Sequence, residues 1–227
     1  LEALRQFQHE VGKENAIFLH VTLIPYLKSS GEMKTKPTQA SVKELQGMGI
    51  QPDIIVCRSE YPLDNGIKDK IALFCNVPSS HVLQNLDVEY LYEAPLAMEE
   101  EHLAQVACEC LGLPCPEPNL SDWKAMCTAL KHPKGEVSVA LVGKYTQLHD
   151  AYISVVESLK HGGIANGVSV NIKWVDSEKV TAENVEEFLG DVSGIIVPGG
   201  FGDRGIEGMI QSIRYAREKK VPFLGLC

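Results

Sequence analysis

The chain has 227 residues, a formal net charge of −9, 44% hydrophobic and 22% charged side chains, the make-up of an ordinary soluble globular protein. The acidic balance argues against a nucleic-acid or membrane-surface binder, so any anion site must be local. No apolar run approaches the roughly 18 residues needed to span a bilayer, and no signal peptide is visible.

Leu1 is not an initiator Met, and Leu1, Leu4, Phe7 and Val11 already form a helical stripe that Gly12 closes. The chain therefore reads as a piece cut at both ends, spanning parts of two domains. A β-rich run over 16–23 ends at Pro25, and a polar loop over 28–37 leads into a helix with apolar Val42, Leu45 and Met48, closed by Gly49. Residues 54–57 predict a short buried strand, 67–74 a helix containing Lys70, and 94–111 one long acidic helix with apolar Leu96, Leu103, Val106 and Ala107. These are βα units of a mostly parallel sheet.

Residues 112–119 carry Pro114, Pro116 and Pro118, which cannot continue a helix and make a semi-rigid spacer. Ser121 is placed to cap a single helix running to Leu130, which Pro133 and Gly135 end. The expected organisation is a first domain over 1–113, a linker over 114–136 and a second domain over 137–227. In the second, a strand over 137–142 is followed by a helix over 151–159 that Gly162 and Gly163 stop. An alternating strand over 168–175, a helix around 182–189, a strand at Ile195, a helix over 209–216 and a last strand before Cys227 complete it. The fold class is α/β, with two doubly wound, mostly parallel sheets, both incomplete.

The seven cysteines are scattered, and only Cys108, Cys110 and Cys115 cluster. Their spacing is not C-x-x-C and no second ligand pair follows, so they read as reduced structural thiols rather than metal ligands. A reducing cytoplasm fits them.

Three constellations bear on chemistry. In Lys34-Thr35-Lys36-Pro37-Thr38-Gln39, lysines two apart on extended backbone point the same way, and Pro37 biases Lys36 towards that geometry. The helix beyond offers free N–H groups and a positive dipole end, with Ser41 and Glu44 spaced as a capping box. Two ammoniums ahead of a helix N-terminus suit a triphosphate; a solvated basic loop is the plainer alternative. Val142-Gly143-Lys144-Tyr145 lacks the upstream glycine of a phosphate loop and has Tyr145 where Ser or Thr would hold magnesium, so Lys144 reads as a loop lysine. Finally, Pro198-Gly199-Gly200-Phe201-Gly202 and Gly225-Leu226-Cys227 each follow a short apolar strand. Parallel neighbours would bring a thiol beside free backbone N–H groups, half of an amide-hydrolysing site; an inert buried thiol after a mere turn is the alternative. His149 and His161 flank a helix, share no strand end with Cys227 and read as surface residues.

Together these residues resemble the CTP synthase family of glutamine-dependent amidoligases, over the whole chain. Residues 31–45, 49–58 and 70–75 look like that family's nucleotide-binding half, P-loop-like in fold. Val142–Tyr145, Asp150-Ala151-Tyr152, residues 197–202 and Gly225-Leu226-Cys227 look like the start of its flavodoxin-like class I glutaminase domain. The resemblance implies that ATP phosphorylates O4 of UTP and that ammonia from glutamine displaces the phosphate, giving CTP. It places Lys34, Thr35, Lys36, Pro37, Thr38, Gln39 and Lys70 around the UTP or CTP triphosphate. Leu86, Asp87 and Val88 fall against ATP adenine, with Leu86 departing from the basic residue of some members. Gly199 takes the glutamine and oxyanion-loop position, and Cys227 the thioester-forming nucleophile. It further implies magnesium with ATP, its ligands outside this chain, a glutaminase His and Glu beyond Cys227, GTP as activator, CTP as feedback inhibitor and a homotetramer, with no nucleic acid or membrane partner. The piece by itself is expected to be inactive. Three other readings remain open on the residues alone: another amidotransferase-coupled synthetase, a non-catalytic nucleotide-binding or polymer-forming module, and a Cys hydrolase with no synthetase half.

Overall fold

The computed structural model describes residues 1–227, which divide into two compact units, Leu1–Ser121 and Asp122–Cys227. The first unit opens with α1 (Glu2–Val11) and β1 (Leu19–Leu23), then a small antiparallel hairpin of β2 (Tyr26–Leu27) and β3 (Glu32–Met33). There follow α2 (Lys36–Gly47), β4 (Ile54–Ser59), α3 (Asn65–Cys75), β5 (Val82–Leu86), α4 (Ala94–Glu100) and α5 (Leu103–Cys110). Strands β1, β4 and β5 form a parallel sheet in the order β1-β4-β5, with Leu23 beside Arg58 and Ser59 beside Leu86 at its carboxyl edge.

The middle strand shows why this unit is layered. Ile55 and Cys57 face one side, packing with Val42, Ile71 and Cys75 of α2 and α3. Ile54 and Val56 face the other, with Met98 and Val106 of α4 and α5. A strand covered on both faces reads as a continuous apolar run, which is how 54–57 reads, and each fully buried Ile contributes about 1.5–3 kcal/mol. Asp64 caps α3 by accepting from the Ile67 N–H at 2.8 Å, and Asn76 ends it in the left-handed region at φ 56°.

Four expectations for this unit need correction. The loop over 28–37 contains β3, which pairs with β2 just before it, and Lys36 is helical, not extended. Pro37 lies in the first turn of α2, where its missing N–H costs no helix bond. Thr35, not Ser41, is the N-cap residue, and Ser41 sits inside the helix with its Oγ 3.1 Å from His20 Nε2. The long helix over 94–111 is two helices, broken at His102 (φ 60°). At the break, Glu101 accepts from Lys68 Nζ (2.9 Å), Gln84 Nε2 (2.8 Å) and Gln84 N (3.1 Å). Bonds to a charged group are worth about 1.5–3 kcal/mol each, enough to offset the roughly 1–2 kcal/mol of a left-handed residue. Strand β5 carries no strong apolar alternation and was not among the expected elements.

Residues 113–120 form no helix or strand. The second unit comprises α6 (Ser121–Lys131), β6 (Gly135–Gly143), α7 (Ile153–Asn166), β7 (Val168–Asp176), α8 (Val185–Leu189), β8 (Gly194–Val197), α9 (Ile206–Lys219) and β9 (Phe223–Gly225). All four strands are parallel in the order β7-β6-β8-β9, the doubly wound arrangement expected. Ala140 and Val142 join Val175, Ile195, Val197 and Tyr215 on one face, while Leu141, Ile196 and Tyr152 pack on the other. One expectation fails here. Gly162 and Gly163 do not stop α7, which runs on to Gly167 at φ 68°. A Cβ on Gly163 would lie 2.7 Å from Val168 O, so this glycine lets helix and strand meet closely.

Candidate functional site

In the second unit the chain moves from β7 across β6 to β8, so the strand order reverses between β6 and β8. The crevice at the carboxyl ends of strands beside such a reversal is where open α/β sheets hold ligands. Three segments emerge there: Lys144 after β6, the loop 198–202 after β8, and Leu226-Cys227 after β9. Leu226 N donates to Val197 O at 2.9 Å, which draws the last residues against the end of β8. A Cβ on Gly199 would lie 3.3 Å from Cys227 Cβ and 3.5 Å from its Sγ. Gly199 and the thiol are thus packed together, and Cys227 is exposed, with φ 139°, a backbone angle that L residues rarely adopt.

Lys144 is a loop lysine directly after β6, as expected, and it is buried. Its Nζ donates to Phe201 O at 2.9 Å and to Gly202 O at 2.6 Å. The N–H groups of Lys144 and Tyr145 both donate to the Tyr152 hydroxyl, at 3.1 and 3.3 Å. A Cβ on Gly143 would meet that hydroxyl at 2.6 Å. The turn after β6 therefore spends its N–H groups on a phenol, which gives a structural reason, besides the missing glycine, why it is no phosphate loop. His149 is exposed and stacks on Trp174, ring centroids 4.1 Å apart.

In the first unit the candidate nucleotide residues also lie at a sheet's carboxyl edge. Lys34 follows the hairpin, and its ammonium is paired with the Glu32 carboxylate. That bond, with a smaller contribution from Lys70, holds the Glu32 carboxyl below its ordinary range. Lys34 pairs with this carboxylate, Lys70 acts on it through its charge alone, and Lys36 and Pro37 are exposed in the first turn of α2. Thr35 and Thr38 are buried. Thr38 Oγ1 lies 3.0 Å from Thr22 Oγ1 and donates to Leu23 O at 3.4 Å, tying α2 to β1, while Gln39 Nε2 donates to Thr35 Oγ1 at 3.0 Å. Leu86 ends β5, Val88 is half-buried, and Asp87 is exposed and pairs with Arg58 at 2.5 Å. Arg58 Nη1 also donates to Asn85 O, Asn85 Oδ1 and Leu86 O at 3.0–3.1 Å, fixing the backbone that leads into Asp87 and Val88.

Glu32, Arg58 and Tyr152 lie in segments that the sequence singled out, but their contacts in these clusters, and the burial of Lys144, were not legible there. The available signals were weak: a carboxylate two residues before Lys34, a basic residue inside a buried strand, and a lysine directly after an apolar one. No group of three or more His, Cys, Asp or Glu side chains is arranged to hold a metal ion.

Residues 1–113 match the family model described as CTP synthase N-terminus, and residues 147–227 match glutamine amidotransferase class-I. A CTP synthase of Ruminiclostridium cellulolyticum is 59% identical over all 227 residues, which are 42% of that protein. One of Symbiobacterium thermophilum is 57% identical, covering 100% of this chain and 43% of its own. The solved Trypanosoma brucei CTPS glutaminase domain with bound acivicin is 40% identical, covering 39% of this chain and 35% of its own, at a TM-score of 0.37. The chain spans about two fifths of the length of the curated relatives it matches. With its two units matched in this order, and with similarity running its whole length, the chain belongs to the CTP synthase family.

Proposed function

We propose that the protein carrying this chain makes CTP from UTP, ATP and glutamine, and that the two units hold parts of its two half-sites. The observation that carries the reading is the thiol–glycine pair: Cys227 packed on Gly199 at the ends of adjacent parallel strands, in a chain whose first half matches the nucleotide-binding side of the family. In the glutamine half-reaction the Cys227 sulfur attacks the side-chain amide carbon. The C–N bond breaks, the thiol proton passes by way of a base that we place outside these residues to the leaving ammonia, and a glutamyl thioester remains for water to hydrolyse. Backbone N–H groups of the loop 198–202 receive the charge that develops on the amide oxygen.

In the other half-reaction ATP transfers its terminal phosphoryl group to O4 of UTP. Ammonia then attacks C4 and inorganic phosphate departs, leaving CTP and ADP. Lys34, Lys36 and Lys70 neutralise the triphosphate of the uridine nucleotide, with Gln39 on its flank, while Thr35, Pro37 and Thr38 shape and anchor the turn that presents the lysines. Leu86, Asp87 and Val88 line the adenine side. Magnesium would accompany ATP, but no metal-holding cluster is built from this chain's own residues, and none of its side chains is assigned to the ion. We take the domain limits as 1–113 and 137–227 with a linker over 114–136, a division supported by the compact units meeting at Ser121 and Asp122 inside that linker. GTP activation, CTP feedback and a tetrameric assembly belong to the same proposal. No helix is long and apolar enough to cross a membrane, and the seven free cysteines are compatible with a reducing cytoplasm.

Crystals of the protein soaked with UTP test the nucleotide half. The triphosphate should lie within hydrogen-bond reach of Lys34 and Lys36, with the Lys34–Glu32 pair opened. A ligand bound elsewhere would overturn the assignment.

A further inference from the structure

We infer that Lys144 is a positioning residue for the thiol chemistry at Cys227, its buried ammonium holding the loop 198–202 in the shape that receives a glutamine carbonyl. The inference rests on the glutamine-hydrolysing reading above and adds a residue to that site. Lys144 is the one charged side chain among the buried residues, at 7% exposure. Burying an ammonium is unfavourable unless its donors are taken up, and here they go to the main chain of the glycine loop, at Phe201 O and Gly202 O.

The geometry links this lysine to the thiol through adjacent glycines. A Cβ on Gly199 would touch Cys227, and a Cβ on Gly200 would lie 3.6 Å from Lys144 Cε and 3.9 Å from its Nζ. The thiol and the lysine thus press on consecutive residues of one short loop. Because trans peptides are planar, turning the carbonyls of Phe201 and Gly202 towards Lys144 turns the N–H groups of Gly202 and Asp203 away from it. The base of the lysine is itself fixed: its N–H is taken by Tyr152 and its carbonyl accepts from Arg204 Nη2 at 3.3 Å. The Lys144 ammonium bonds to carbonyls and not to a carboxylate, so its positive charge is left to favour negative charge developing beside the loop. Three of the loop's five residues are glycines and Phe201 is 92% exposed, so its own side chains do little to define its shape, and a buried lysine at the end of a neighbouring strand supplies that definition.

The test compares two reagents for Cys227 in the full-length protein. A chloroketone analogue of glutamine needs the loop to bind its carbonyl, whereas iodoacetamide needs only the sulfur. In Lys144→Met, labelling by the analogue should fall at least about tenfold more than labelling by iodoacetamide, the order expected when a carbonyl-binding group is displaced. Lys144→Arg, which keeps a cationic donor, should recover most of that difference. If Lys144→Met does not fold, Lys144→Gln, neutral but still a donor, is read by the same ratio. Equal falls with both reagents would make Lys144 merely structural, and no fall with either would remove it from the site; each result overturns the inference. Wild-type protein that the analogue fails to label at all would instead refute the glutamine-hydrolysing reading beneath it.

Discussion

The two clusters at the sheet edges are built in different ways. In the second unit the site is made by close packing: Gly199 lies on Cys227, Gly200 on Lys144, and Lys144 is buried with two of its donors taken by backbone carbonyls. In the first, the charged candidate groups are exposed or half-exposed side chains, and Lys34 and Asp87 each pair with an opposite charge, Glu32 and Arg58. A packed site is intolerant of an added atom, whereas a site of solvated charges loses its contacts one at a time and is weakened by salt. The same protein should therefore respond steeply to changes in one cluster and gradually in the other.

The steepest response is expected from Gly199→Val, whose branched side chain has no room beside Cys227. Glutamine hydrolysis should fall by about a hundredfold or more, the scale of losing an oxyanion-stabilising group, while CTP formation from added ammonia stays near wild type. Parallel loss of both activities would mean that the two clusters are not separable. Lys36→Ala should act in the opposite sense. Removing one charge-assisted contact of about 1.5–3 kcal/mol should raise the UTP requirement roughly ten- to hundredfold, with nucleotide-independent glutamine hydrolysis unchanged. Equal loss of both would make Lys36 structural.

A smaller effect is expected behind the first cluster, at Glu101. Burial pushes its carboxyl up, but the bonds from Lys68 and Gln84 outweigh this and hold it below the ordinary value. A carboxylate lowered in the folded state adds stability that is present above its unfolded value and is lost as pH falls through the folded one. Urea unfolding of Glu101→Gln should show a deficit of about 1–2 kcal/mol at neutral pH that shrinks on acidification. A deficit independent of pH would mean that shape rather than charge matters there. His20, lowered by burial, adds to the same trend, because its folded value lies below its unfolded one and acid charges the unfolded chain first.

The contrast also explains what was legible in the sequence. Strands β4, β6 and β8 were legible because a parallel strand covered on both faces reads as a short apolar run, and the edge strand β7 because it alternates. The pairing of Cys227 with the glycine loop followed from topology alone, since consecutive parallel strands place their ends together. Where the outcome depended on long-range bonds, the local pattern misled. Nothing near residue 101 says that Glu101 will reach Lys68 and Gln84 and break a helix. Nothing near Gly163 says that the Val168 carbonyl will need the space of a side chain. The burial of Lys144 was not legible because its partners, the carbonyls of Phe201 and Gly202, lie nearly sixty residues away. Pro37 misled in another way: its effect on the preceding residue was weighed, but its fitness for a helix's first turn decided the outcome.

The most direct measurement follows the nitrogen. With the full-length protein, UTP, ATP and glutamine labelled with nitrogen-15 at the amide, the label should appear on the C4 amino group of CTP. In Cys227→Ala that transfer should vanish, while labelled ammonia still gives labelled CTP. Labelled CTP formed from glutamine by Cys227→Ala, or no CTP from either nitrogen source in the wild type, would contradict the account.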